Sequence, residues 1–181
     1  MKPNYTSVPG WARSAAVEAA DRRGRSHTVL AIGGGDALGV ADAWVADLAD
    51  TGAQIRRHDC PDVDAARAAL TDDLSAATVG HRVAVAGPVR DCLALRAAAI
   101  AAGLADDELR FGVVSVAERS VWCVHCRAVT EATVEIEATV PCSGCGRELV
   151  VYPHISRRMG HHLGFMVDAE DQPYEQPEVS A

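Results

Sequence analysis

The sequence of 181 residues is poor in aromatic side chains, which make up only 4% of it, although 49% of its residues are hydrophobic. Alanine and valine supply most of the hydrophobic share. Small side chains of this kind pack tightly where helices lie on strands, so the composition favours an α/β fold. The length and the hydrophobic content suit a globular protein with one ordinary domain or two small ones.

Positive charge is also scarce. The 17 lysines and arginines are outnumbered by 25 aspartates and glutamates, which gives a formal net charge of −8. Such a balance repels phosphate backbones and anionic lipid surfaces. It therefore disfavours general binding to nucleic acids or membranes.

Long apolar runs are missing as well. The longest apolar patch, AAAIAAGLA at residues 97–105, falls far short of the roughly 18 residues expected of a membrane-spanning helix. The first residues, MKPNYTSVPGW, lack the basic stretch and apolar run of a secretory signal. We expect a cytoplasmic protein.

The chain has only six cysteines, and four of them form two Cys-x2-Cys pairs, Cys123 with Cys126 and Cys142 with Cys145. This spacing is typical of a four-thiolate metal site, because each pair occupies a tight turn and the two turns can meet at one point. In a reducing compartment, paired cysteines are more often ligands or redox groups than disulfides. The sequence predicts that these four residues hold one metal ion.

The spacing leaves the metal open. Zinc has no redox chemistry and would be a structural site, whereas iron in the same tetrahedron carries one electron. The glycine after the second pair can adopt a positive φ and let backbone amides point at the sulfurs, but the first pair is followed by Arg127. His125 is expected to point outward, and the lone Cys60 and Cys92 to be small buried residues.

Upstream of the cysteines, apolar runs alternate with segments of helical spacing. A helix with Val89, Leu93 and Ala97 on one stripe is one example. Short connections of this kind join parallel strands by right-handed crossovers. We predict a shortened doubly wound parallel sheet of Rossmann type over residues 27–118, with strands in HTVLAI, AQIRRHDC, HRVAVAGP and ELRFGVVSVA.

The flanking segments follow other patterns. Residues 1–26 are expected to form an N-terminal arm in which ARSAAVEAADR makes one or two helical turns. Residues 119–167 are expected to form a small four-cysteine β ribbon. The alternation in AVTEATVEIEATV, at Val134, Ile136 and Ala138, predicts a β-hairpin arm between the two cysteine pairs. Residues 168–181 form an acidic, proline-bearing tail that we expect to be disordered.

The glycines of GGGDALG follow the first strand and precede a helix, where a phosphate could bind. The spacing G-x-G-x-x-G is not met, and Asp36 puts a negative charge where a pyrophosphate would lie. Asp36 is a suitable helix N-cap. We expect a tight turn, and leave open whether Gly33 to Gly35 bind a nucleotide.

Two stretches resemble known families. AIGGGDALG and AVAGPVRDCLALRAAAIAAGLADDELRF resemble the nicotinamide-binding half of ferredoxin reductases, in shortened form. In that family a Gly-Gly-Thr-Gly loop and a Cys-Gly-Pro turn stand where this chain has residues 33–36 and 86–88. The four cysteines followed by HISRRMGHHLGF resemble the small subunit of bacterial dimethylamine monooxygenase. The residues that carry this second resemblance are the four cysteines, His154, Ser156, Arg157, Gly160, Gly164 and Phe165.

The second resemblance implies an accessory, non-catalytic subunit of a multi-component oxygenase. Such a complex demethylates a secondary amine with NADPH and O2, with haem on one partner chain and flavin or an iron–sulfur cluster on another. The metal site would then transfer electrons or form a docking surface. The alternative is a stand-alone structural zinc-ribbon adaptor with a degenerate nucleotide-binding domain.

The remaining candidate residues predict no further site. His161 and His162 are adjacent and therefore point in different directions, so they do not easily share one metal ion. We expect both on the solvated surface. No nucleophile arrangement stands out, and we predict no catalytic residue on this chain.

Overall fold

The structure, a computed structural model, describes residues 6–168. In the first part of the chain, strands and helices alternate, as the sequence predicts. The elements there are β1 (Ala16–Val17), β2 (Ser26–Ile32), α1 (Asp36–Leu48), β3 (Gln54–Cys60), α2 (Val63–Ser75), β4 (His81–Pro88), α3 (Val89–Ala101) and β5 (Leu109–Ser115).

Strands β2 to β5 form a parallel sheet in the order β5-β4-β2-β3, and β1 joins its edge antiparallel to β5. Helix α1 packs on one face of the sheet, and α2 and α3 pack on the other. The predicted α/β fold with a shortened doubly wound sheet is confirmed. The strand order fits a Rossmann sheet without its two outermost strands and equally a flavodoxin-like sheet without its last, so the Rossmann type stays a prediction.

Helix α3 is buried on more than one side. The predicted stripe of Val89, Leu93 and Ala97 is buried, but so are Cys92 and Leu95 on other faces of the helix. Cys92 faces the sheet, where its sulfur lies against the backbone of β4, whereas Leu93 lies against Gly160 of the second part of the chain. The alanine-rich sequence of this helix permits close packing on both sides.

The predicted helical turns in ARSAAVEAADR are wrong. A single 3-10 turn, Gly10–Ala12, overlaps only the first residue of this stretch, which otherwise contains the short strand β1. Tertiary contacts hold it extended: Trp11 stacks on Phe111 with ring centroids 3.9 Å apart, and Glu18 accepts a hydrogen bond from the Phe111 amide at 2.8 Å. Contacts with β5 override a weak helical preference.

The second part of the chain is a five-stranded sheet in the order β7-β6-β10-β9-β8. The central strand, β10, runs parallel to β6 and antiparallel to β9. These strands are β6 (Glu118–Cys123), β7 (Val129–Thr133), β8 (Thr139–Pro141), β9 (Glu148–Ile155) and β10 (His162–Met166).

The predicted hairpin arm between the cysteine pairs is also wrong. Strands β7 and β8 lie on opposite edges of the sheet, and residues 134–138 connect them. Each cysteine pair is itself the turn of a hairpin, β6 with β7 and β8 with β9. The two turns therefore meet because the strands of one sheet place them together, and not through an arm between them.

The two sheets contact each other through α3 and the segment before β10. Gly160 packs so closely on α3 that a Cβ atom there would lie 2.5 Å from the Leu93 carbonyl oxygen. Arg90 forms ion pairs with Glu118 and Glu131 of the ribbon at 3.0 and 3.2 Å.

Within residues 6–168, no helix is long and apolar enough to cross a membrane. The predicted tail falls almost wholly outside the described residues, and the predicted limits at residues 26, 118 and 167 stay predictions.

Candidate metal centre

The two cysteine pairs occupy turns of the same geometry. In the first turn the Arg127 amide donates to the Cys123 carbonyl at 2.9 Å, and in the second the Gly146 amide donates to the Cys142 carbonyl at 2.9 Å. The amide of the first cysteine in each turn donates back across the hairpin, to Ala128 at 2.9 Å and to Arg147 at 2.8 Å. We call these two turns the knuckles, residues 123–128 and 142–147.

The four sulfur atoms form one group, all lying within 4.8 Å of one another. The Sγ atoms of Cys126 and Cys142 are 3.5 Å apart, and those of Cys123 and Cys145 are 3.9 Å apart. A tetrahedron with metal–sulfur bonds of about 2.3 Å has sulfur–sulfur edges of about 3.8 Å. The separations therefore fit a single tetrahedral metal ion.

Both knuckles need a left-handed residue after their second cysteine. Gly146 has φ 71°, as its sequence position predicts. Arg127 occupies the equivalent place with φ 67°, an uncommon conformation for a residue with a side chain. Sequence reasoning noted the missing glycine in the first knuckle but did not predict that Arg127 takes the same shape.

Gly144 allows the knuckles to approach each other. A Cβ atom at this position would lie 2.6 Å from the Ala128 Cβ and 3.0 Å from the Cys126 sulfur. Its amide also donates to the Cys142 sulfur at 3.4 Å, which spreads the charge of a thiolate. Cys123 and Cys142 are buried, while Cys126 and Cys145 are half-buried.

The thiols differ in acidity. Hydrogen bonds from the amides of Cys145 and Gly144 lower the pKa of Cys142 to about 6, and the Arg147 amide lowers the pKa of Cys145. At Cys126 the Ala128 amide favours the thiolate, but burial and the neighbouring cysteines prevail and raise the pKa to about 11. The thiols of the second knuckle therefore lose their protons readily. The thiol of Cys126 would lose its proton only when a cation binds.

The knuckles themselves carry basic side chains. His125 is exposed and points outward, as predicted, with its ring nitrogens 2.8 Å from Arg147 Nη1. Arg127 is exposed beside it. Neither knuckle contains a carboxylate.

The two remaining cysteines lie apart from this group. Cys60 and Cys92 are both buried, as expected. Burial raises the pKa of both thiols, and the Cys92 sulfur contacts the carbonyl of Gly87 at 3.6 Å. They are core residues of the α/β sheet.

The glycine loop after β2 is an open turn. Gly33, Gly34 and Gly35 all have positive φ, at 83°, 74° and 53°. No heavy atom lies within 4 Å of where their Cβ atoms would be. Asp36 begins α1, but among the described contacts its side chain does not cap the helix, whose N-cap is Gly35.

The expectation that His161 and His162 lie on the solvated surface is wrong. His162 is 1% exposed, and His161 is half-buried with no hydrogen-bond partner for its Nδ1 among the described residues. His162 donates from Nδ1 to the Tyr152 carbonyl and accepts at Nε2 from Arg119, which is itself 3% exposed. Sequence reasoning missed this pair because the alternation of Leu163 and Phe165 predicts that these two apolar side chains are buried and that His162 is exposed, the reverse of the observed burial.

The other residues on which the resemblance depends have structural roles in the ribbon. Ser156 lies in the turn after β9, and Arg157 forms an ion pair with Asp106 at 2.5 Å. Gly164 packs closely on β6, because a Cβ atom at this position would lie 2.7 Å from a side-chain carbon of Val121. His154 stacks on Tyr152, and Phe165 is exposed beside the same ring. None of them joins the group of four sulfurs.

A doubly wound α/β layer followed by a β ribbon with four cysteines in two knuckles defines a protein with a rubredoxin-like or zinc-ribbon type of site. Residues 120–165 match the family described as "Dimethylamine monooxygenase subunit DmmA-like, C-terminal domain". The resemblance of this region to the dimethylamine monooxygenase small subunit is thereby confirmed.

A curated relative supports the same relationship. Over 117 residues the chain is 38% identical to the heme-dependent oxidative N-demethylase delta subunit of Ectopseudomonas mendocina (strain ymp). The matched region covers 65% of this chain and 65% of the relative. No solved structure matches the chain.

Proposed function

We propose that this chain is an accessory subunit of a dimethylamine monooxygenase-type complex, which removes an N-methyl group from a secondary amine with NADPH and O2. One observation carries the proposal: four sulfurs with the geometry of a metal site lie inside the segment that matches the DmmA-like C-terminal domain. The relative's name, a delta subunit of an oxidative N-demethylase, supports both the reaction class and the presence of other subunits.

In this proposal the chain does not carry the oxygen chemistry. Haem belongs to one partner subunit, and flavin or an iron–sulfur cluster to another. Cys123, Cys126, Cys142 and Cys145 hold one metal ion, which supplies one-electron transfer if it is iron and structural rigidity if it is zinc. The amide of Gly144 would stabilise the thiolate of Cys142, and the half-buried Cys126 and Cys145 would be the ligands accessible to a docking partner.

Metal analysis of the purified chain tests the choice of metal. One equivalent of iron with a visible band that dithionite bleaches would identify an electron carrier. One equivalent of colourless zinc would identify a structural site and move electron flow to other subunits. A chain that holds neither metal, with all four thiols titratable, would contradict the assignment of these residues as ligands.

Reconstitution tests the role in the complex. We expect Cys142→Ser to lose the metal and to lower NADPH-dependent formaldehyde release from dimethylamine when the variant replaces the wild-type chain. Cys60→Ser is the matched control, because Cys60 lies outside the sulfur group. If Cys142→Ser supports full activity and keeps its fold, neither an electron-transfer nor a docking role for the site is tenable.

A second candidate function is a stand-alone structural zinc-ribbon adaptor with a degenerate nucleotide-binding domain. The open glycine loop at residues 33–35, which lacks the usual phosphate-binding spacing, favours this reading of the α/β layer. An adaptor would bind zinc, would not bind NADPH in a fluorescence titration, and would leave amine oxidation unchanged when omitted from the complex.

A further inference from the structure

Part of one face of the ribbon sheet is left uncovered by the rest of the described chain: α3 covers the end of this face near Ser120 and Glu131, and the end near the first knuckle is open. Along β6, Val121 and Cys123 point into the ribbon core, so Trp122 between them points to the opposite side. The pairing registers place Leu163 beside Trp122 and Phe165 beside Val150. We call this side the outer apolar face, and its residues are Trp122, Val129, Val150, Tyr152, Leu163 and Phe165.

This face is apolar and accessible. Phe165 is 38% exposed, Tyr152 is 44% exposed and Val129 is 38% exposed, and the other three residues are half-buried. The rings of Tyr152 and Phe165 meet edge to face with centroids 5.2 Å apart. Single exposed apolar residues are common, but a continuous set across four adjacent strands marks an interaction site.

The outer apolar face continues to the candidate metal centre. Trp122 directly precedes Cys123, and the Val124 amide donates to the Gly164 carbonyl at 3.2 Å, next to Phe165. Val124 is itself 37% exposed. A partner seated on this face would therefore also contact the first knuckle, which carries Cys123 and Cys126.

The charge distribution of the chain indicates what kind of partner would bind the outer apolar face. The chain has a net charge of −8, but the two knuckles carry Arg127 and Arg147 and no carboxylate. A second copy of this chain would meet like charge over most of its surface. An acidic partner would meet the least repulsion at the knuckles, which would orient it towards the metal.

We propose that the outer apolar face docks the haem-bearing subunit of the complex, through an apolar patch on that subunit with carboxylates opposite Arg127 and Arg147. The inference rests on the proposed function and adds the surface and the partner's chemistry. Tyr152 and Phe165 are the anchors, because aromatic side chains dominate the binding energy of such interfaces.

The test measures the dissociation constant between the metal-loaded chain and the purified haem-bearing subunit of the same complex. We expect Tyr152→Ser and Phe165→Ser each to raise it by about tenfold or more. The control is Val79→Ser, because Val79 is 92% exposed and lies outside the ribbon, in the connection between α2 and β4. We expect this variant to bind within about twofold of the wild type. Metal content and circular dichroism verify that each variant is folded.

A second pair of variants tests the charge argument. Arg147→Gln should slow association at low salt, whereas Arg22→Gln, an exposed arginine on the α/β layer, should not. If the wild type binds the haem-bearing subunit and both aromatic variants bind it with the same affinity, the proposed docking face is wrong and the proposed function is unaffected. A dimer of the wild-type chain that Phe165→Ser converts to a monomer would assign the face to a second copy instead. If the wild type does not bind the haem-bearing subunit, the docking proposal is wrong, and the activity of the reconstituted complex with and without this chain decides separately on the proposed function.

Discussion

His162 is held in a neutral form by its surroundings. Burial lowers its pKa to about 4, and the positive charge of Arg119 acts in the same direction. Because an arginine can only donate, Nε2 of His162 accepts from Arg119 and Nδ1 carries the proton donated to the Tyr152 carbonyl. Protonation of Nε2 would place two buried cations 3.4 Å apart.

We predict that His162 makes folding acid-sensitive. Its folded-state pKa is depressed from 6.5 to about 4, so the unfolded chain takes up a proton first as the pH falls. Stability should therefore be full above pH 6.5 and decrease between pH 6.5 and 4, by up to about 3 kcal/mol over that whole interval. Urea unfolding at pH 7 and pH 5 would show a smaller decrease for His162→Gln than for the wild type, and equal decreases would contradict the prediction.

Gly160 is a second residue whose role follows from local geometry. It has φ 75°, and a Cβ atom would lie 2.5 Å from the Leu93 carbonyl oxygen and 2.8 Å from the carbonyl carbon. Neither backbone atom can move without disturbing α3. We predict that Gly160→Ala lowers the free energy of unfolding by about 3 kcal/mol.

The control for Gly160 is Gly39→Ala in α1. Nothing lies within 4 Å of a Cβ at Gly39, and alanine is the better helix former, so this variant should gain roughly 0.5–1 kcal/mol. Denaturant unfolding of both variants checks the pair. A Gly160→Ala protein as stable as the wild type would show that the segment before β10 does not depend on this contact with α3.

At the scale of elements, α2 is anchored to the sheet by one buried carboxylate. Asp73 accepts from Thr28 Oγ1 at 2.6 Å, from His58 Nε2 at 2.9 Å and from Arg56 Nη1 at 3.2 Å. Burial alone would raise the pKa of Asp73, but these hydrogen bonds and ion pairs prevail and lower it. The helix is thereby fixed to both β2 and β3 at its C-terminal end.

We predict that Asp73→Ala destabilises the α/β layer by about 3 kcal/mol, because it removes the carboxylate that accepts from the buried Thr28 hydroxyl and from the half-buried His58 and Arg56. The neighbouring Asp72 is exposed, and Asp72→Ala should change stability by less than about 0.5 kcal/mol. Thermal unfolding of both variants at neutral pH provides the comparison. Equal midpoints would show that the network around Asp73 does not hold α2 to the sheet.

At the scale of the whole molecule, the ribbon and the α/β layer depend on different sources of stability. The α/β layer has its own core on both faces of the parallel sheet, whereas the ribbon core consists largely of small side chains and the cysteines themselves. If the cysteines bind a metal, its binding free energy is folding free energy for the ribbon.

We predict that metal removal unfolds the ribbon and leaves the parallel sheet folded. Hydrogen exchange before and after treatment with a strong chelator should show loss of protection in residues 119–167, with the amides of β2 and β4 still protected. Loss of protection in both sheets together would show instead that the contacts of Gly160 and Arg90 with the ribbon make the molecule one cooperative unit.

Much of the architecture follows from local patterns. Strands β2, β4 and β5 were predictable because their apolar runs alternate with helical spacing, whereas β3, QIRRHDC, has no such run and was predicted from the repeat of the strand–helix unit. The pairing of Cys123 with Cys126 and of Cys142 with Cys145 was predictable from spacing alone. The ribbon was harder: its connection at residues 134–138 alternates like a strand, yet it joins two edges of the sheet. An alternation of apolar and polar residues with a period of two indicates a strand, but it does not identify the strand with which it pairs.

By itself, the sequence determined the element types of the α/β layer, the four candidate ligands and the resemblance of the C-terminal region, since each depends on residues close together along the chain. Only the tertiary structure decided that β10 lies between β6 and β9, that His162 is buried beside Arg119, and that Trp122 and Phe165 share an exposed face. The physical reason is that burial depends on neighbours from distant segments. The polar His162 therefore lies inside and the apolar Phe165 outside, contrary to what their side chains alone would predict.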